Sequence, residues 1–101
     1  MSMTASQALR IAFEDRETVH FIRTYFMRAE QRPQIITRRW RTKSPNGHTW
    51  HIAIIEKTPC FYDQRKKFLN VALLKVDSQK GQILQRQFYK NIFTGELRHI
   101  L

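Results

Sequence analysis

The chain of 101 residues has room for one domain of ordinary size and not for two. Eighteen Lys and Arg against eight Asp and Glu give a formal net charge of +10, while 42% hydrophobic and 12% aromatic residues exclude a disordered basic tail. The single cysteine, Cys60, excludes an internal disulfide and a zinc site built from cysteine pairs, and no apolar run reaches the roughly 18 to 20 residues of a membrane span.

Positive charge is unevenly spread. Residues 1–33 carry five basic and four acidic side chains, residues 34–67 eight and two, and residues 68–101 five and two, so the middle third holds the strongest field. Met1 to Leu9 lack the basic region and apolar core of a secretory signal, so a cytoplasmic protein is expected. No repeat or Gly/Ser linker divides the chain, which reads as one domain over 1–101.

From Thr4 to about Gln31 there is neither Gly nor Pro, and Ala5, Ala8, Leu9, Ala12, Val19, Ile22, Phe26 and Ala29 recur at helical spacing. Thr4 or Ser6 is expected to cap the start, and Pro33 marks the end. The stripe lapses in the polar run Glu14 to Glu17, where one long helix or two helices are both consistent with the pattern. Phe13, Phe21 and Tyr25 widen the apolar face enough for it to lie on a sheet, and Glu14 and Asp15 are placed for local ion pairs on the outer side with Arg10, Arg16 and Arg23.

Beyond Pro33 the period becomes two. Residues 35–42 alternate, Ser44, Pro45, Asn46 and Gly47 supply a turn, and His48 to Lys57 continues with Trp50, Ile52 and Ile54 on one face, which predicts a β-hairpin. A polar connection around Pro59 to Lys67 leads into Phe68 to Asp77, the most apolar strand and therefore a central one. Ser78 to Gly81 turns the chain into a last strand, about Gln82 to Ile92, whose Gln85, Arg86, Gln87, Phe88, Tyr89 and Lys90 offer an edge for strand addition or homodimer pairing. The expected fold is α+β: an N-terminal helix, broken or not near 14–17, packed on a four-stranded antiparallel meander with one shared core.

The helix start Ser6 to Ala12 and the strand-turn-strand Val76 to Leu84, with Val-Asp before the turn, Gly81 in it and Ile83 after it, resemble a PepSY-type domain. The resemblance implies a helix-plus-antiparallel-sheet module with a non-catalytic binding or inhibitory role, and it brings no active-site residues with it.

Arg38, Arg39, Trp40, Arg41 and Lys43, with His48, Trp50 and His51 across the hairpin, interleave cations with aromatic rings. Guanidinium forks match phosphates and indole faces stack on bases, so the hairpin is a candidate anion-binding surface, extended by Arg65, Lys66 and Lys67 if the following loop folds back. The plainer reading puts Trp40 and Trp50 in the core and leaves Arg39 and Arg41 on a solvated face, with Arg38 on the Trp40 side by strict alternation. His48 and His51, three apart on a strand, face opposite ways, so no metal site is expected. No cofactor is expected either. The leading expectation is a non-enzymatic binding module for an acidic protein surface or a nucleic acid. A small basic ribonuclease is the enzymatic alternative, supported by residue types alone.

Overall fold

A computed structural model of the chain describes residues 3–26, 34–45, 47–59 and 67–101. Helix α1 (Ala5–Glu14) opens on a reciprocal cap: Gln7 N donates to Thr4 Oγ1 at 3.2 Å and Thr4 N donates to Gln7 Oε1 at 2.8 Å. The helical segment does break. Asp15, in an extended conformation with ψ 126°, ends α1 and caps α2 (Arg16–Tyr25), its Oδ2 accepting from Thr18 N at 3.1 Å and Thr18 Oγ1 at 2.8 Å. Thr18 is accordingly buried in spite of its polarity. Helix α2 ends at Tyr25, and the expected continuation to Gln31 falls largely outside the described residues.

Strands β1 (Gln34–Ser44), β2 (Gly47–Pro59), β3 (Lys67–Asp77) and β4 (Ile83–Phe93) form an antiparallel sheet in the order β1-β2-β3-β4, so β1 and β4 are its edges. In the β3–β4 turn Gly81 N donates to Asp77 O at 2.9 Å, and Gly81 takes a φ of 65° that strains any residue with a Cβ. His48 O accepts from Ser78 N and His48 N donates to Ser78 Oγ, each at 3.0 Å, which ties this turn to the start of β2. A 3-10 turn (Thr94–Glu96) and a single helical turn, α3 (Leu97–Ile100), follow β4.

Both helices pack on one face of the sheet. There Ala8, Ala12 and Phe21 meet Ile52, Ile54, Ala72, Leu74 and Val76, with Trp50 and Phe88 beside them. The expected single core is corrected here, because β3 is apolar at both parities and needs cover on both sides. Leu69, Val71 and Leu73 form a second cluster with Ala53 and Ile55 on the opposite face, where Trp40, Tyr89, Ile92, Leu97 and Ile100 pack against them. We call this the open face: α3 supplies Leu97 and Ile100 to it, and neither α1 nor α2 contributes to its cluster. Of the three aromatics expected to widen the helical face, Phe21 is buried, whereas Phe13 is 40% and Tyr25 41% exposed.

Candidate nucleic-acid interface

Residues that are Cα partners across an antiparallel pair project from the same side of the sheet, so the register fixes what each face presents. Trp40 opposes His51, His51 opposes Lys75, and Lys75 opposes Gln85: one row crosses all four strands on the open face. The next row is Arg38, Ala53, Leu73 and Gln87, and the one after it Ile36, Ile55, Val71 and Tyr89. With strands about 4.8 Å apart the rows span about 14 Å.

Within this face the Trp40 and His51 rings stack at 5.2 Å between centroids with planes 5° apart. Thr42 Oγ1 and His51 Nε2 share a hydrogen bond of 2.9 Å, which fixes the imidazole and through it the indole. Burial holds the His51 pKa below the ordinary 6.5, and the positive charge of Lys75 adds to the effect. A planar aromatic platform therefore stands between Arg38 on one side and Lys75 on the other.

Toward α3 the same face ends in a cleft of about 420 Å³ floored by Ile36, Ile55, Leu97 and Leu101 and lined by Arg38, Lys57 and Arg98. Three elements thus bring three cations to one opening. Among the described residues no acidic side chain lines it, and Asp77 is the one acidic side chain at the open-face strand positions, held in its turn by accepting from Gln79 N at 3.0 Å. Arg38 belongs both to this cleft and to the row beside Trp40.

The hairpin cations do not gather on one plate. Arg38 and His51 lie on the open face, whereas Arg39, Arg41, Lys43 and His48 alternate to the helical side. The tryptophans part in the same way, Trp40 to the open face and Trp50 to the helical core, where its Nε1 donates to Met3 O at 3.1 Å. Arg41 lies 5.8 Å from the Trp50 ring centroid, a cation–π contact over the indole face. His48 is half-buried at the joint between the turns, with no hydrogen-bond partner for Nδ1 among the described residues. Lys67 opens β3 opposite Pro59, its side chain outside the described atoms, and Arg65 and Lys66 lie outside the described residues altogether.

No family model, curated protein or solved structure matches the chain.

Two contributors escaped the sequence reading. Lys75 was legible in principle, as the one cation among the apolar positions 69, 71 and 73 of its parity, but a strand read as wholly central hides it. Arg98 depends on a terminal turn too short for periodicity to reveal. Gln85, Gln87 and Tyr89 were read as edge residues only, and their row partners make them part of the platform. Among the described residues no three His, Cys, Asp or Glu side chains gather as metal ligands, and no helix is long and apolar enough to cross a membrane.

Proposed function

We propose that this protein is a binding module that holds single-stranded nucleic acid on the open face of its sheet, without catalysing a reaction. The observation that carries the reading is the row Trp40, His51, Lys75 and Gln85 beside Arg38. Rings offer stacking to any base, the flanking cations meet phosphates, and the glutamines offer both donors and acceptors to base edges. An acidic protein surface would use the cations but has no equal need of a flat, rigidly held ring pair.

The remaining cations suit the same partner. Arg39, Arg41 and Lys43 project from β1 on its other side, so a polyanion crossing that edge meets one sign of charge throughout. The two hairpin histidines, His48 and His51, face opposite sides and do not converge on one phosphate, which favours holding over cleavage.

Fluorescence anisotropy with a labelled oligouridylate of about twelve nucleotides tests this. Trp40→Leu should weaken binding by about 1 to 3 kcal/mol, the worth of one stacked base, and Arg38→Glu should weaken it at least as much. A control matched in charge to Arg38→Glu, the single reversal Arg10→Glu on the exposed side of α1, should leave affinity within a few-fold of the parent. Equal losses from both sets would reduce the interaction to diffuse attraction and defeat the proposal, as would absence of binding at low salt.

A further inference from the structure

A second concavity lies on the helical side, away from the open face. It forms because α2 packs over β3 and leaves the margin of edge strand β4 beyond its cover. Phe21, Tyr25 and Phe88 wall a cleft of about 630 Å³ there, with Arg16, Glu17, His20 and Lys90 around the rim. That volume falls in the range of small-molecule sites, and aromatic walls with a few polar groups at the mouth are their usual make-up.

The aromatic walls are fixed from both sides. Phe21 and Phe88 stack at 4.8 Å with planes 21° apart, and Phe21 meets Tyr25 at 5.1 Å and Phe26 at 6.0 Å. Arg86 clamps β4 to the start of α2 through Asp15 and lies 3.4 Å from Glu17, so the mouth cannot close by sliding strand past helix without breaking these pairs. Tyr25 nevertheless remains 41% exposed, a large aromatic surface left facing the cleft.

Charge is not balanced along the rim. From Arg16 to Tyr25 the helix rises about 14 Å, so the two ends of the cleft are separate environments. At the first end Asp15 and Glu17, both within reach of Arg86, balance the positive charges of Arg86 and Arg16. At the other, Lys90 Nζ sits 4.9 Å from the Tyr25 ring centroid with no carboxylate partner among the described residues. An anion is therefore matched at the Tyr25 end and not at the Glu17 end.

We propose that this cleft binds a flat aromatic carboxylic acid of two or three rings, with the ring system against Tyr25 and Phe88 and the carboxylate at Lys90. Its place on the helical side makes it independent of nucleic-acid binding by the open face.

The test is a two-dimensional NMR titration of the full chain with 2-naphthoate, and in parallel with the uncharged 2-naphthylmethanol. Saturable shifts should centre on residues 16–25 and 86–91 with a Kd near or below about 1 mM, and the uncharged probe should bind about fivefold more weakly, as expected for one exposed ion pair. Lys90→Gln, an exposed position whose variant keeps the parent spectrum elsewhere, should lose the same factor for naphthoate and nothing for the alcohol. Absence of saturable shifts, shifts centred on the open face, or equal binding of the two probes would each overturn the proposal.

Discussion

Asp15 shows how much one residue decides. Its carboxylate accepts from Arg86 Nη2 at 2.6 Å and Arg86 Nε at 2.9 Å, in addition to both Thr18 donors, so the Arg86 fork holds its pKa at about 2, well below the ordinary 3.8. A carboxylate with a depressed folded-state pKa stabilises the fold above about pH 4, and that contribution is lost as pH falls toward 2. With Arg86 34% exposed and the pair screened by solvent, its contribution is on the order of 1 to 2 kcal/mol. Asp15→Asn should cost that amount in urea denaturation at pH 7, and the gap from the parent should narrow steeply between pH 4 and pH 2. A gap that persists there would mean that lost helix capping, not charge, carries the effect. The break at this residue was legible in the sequence as a polar run interrupting an apolar stripe. Its partner was not: Arg86 lies 71 residues away, and only the folded sheet brings it to a carboxylate that seemed placed for local pairing.

At the scale of elements, alternation and turn chemistry carried the meander into view, since Gly81, the Ser44–Gly47 turn and the apolar β3 each leave a local signature. What alternation cannot tell is which side of the sheet the helices will take, and that choice decides whether Arg38 or Arg39 stands on the uncovered face. The tertiary joints were equally hidden. Buried Asn70 holds three elements: its Nδ2 donates to Tyr25 O at the end of α2 at 3.2 Å and to Glu56 Oε1 of β2 at 3.0 Å, and its Oδ1 accepts from Asn91 N at 3.0 Å. Asn91 has a φ of 54° beside the register shift between Leu69 and Val71, so this bond fixes the irregular part of β4. Asn70→Ala removes all three bonds from a buried position and should cost about 2 to 4 kcal/mol in chemical denaturation. Asn70→Asp retains the size yet sets a second carboxyl beside Glu56, and it should be destabilising by a similar margin at pH 7 but less so in mild acid. A loss below about 0.5 kcal/mol for Asn70→Ala would show that the end of α2 and the irregularity of β4 are held by other contacts.

For the molecule as a whole, thinness and charge act together. Its extents are 48 × 25 × 17 Å and its accessible surface is 7426 Å², against about 6,000 Å² for a compact chain of this mass. The sheet is covered by α1 and α2 on one side only, which leaves the open-face cations in water where a polyanion can reach them. Net charge was readable from the composition, but a formal +10 does not say whether a partner meets the whole field or one face of it. The salt dependence of oligonucleotide binding separates these cases, since each phosphate neutralised on a single strand contributes about 0.7 to the slope of log K against log salt. Four open-face cations, Arg38, Lys57, Lys75 and Arg98, give a slope of about −3, or about a fifty-fold loss between 50 and 200 mM salt. A strand that neutralised all of the net charge would give about −7. Arg38→Gln and Lys75→Gln should each flatten the slope by about 0.7, while Lys80→Gln in the exposed β3–β4 turn should leave it unchanged. A slope near −7 that neither open-face variant alters would place the partner over the general positive field, and the row through Trp40 and His51 would then have no special claim on it.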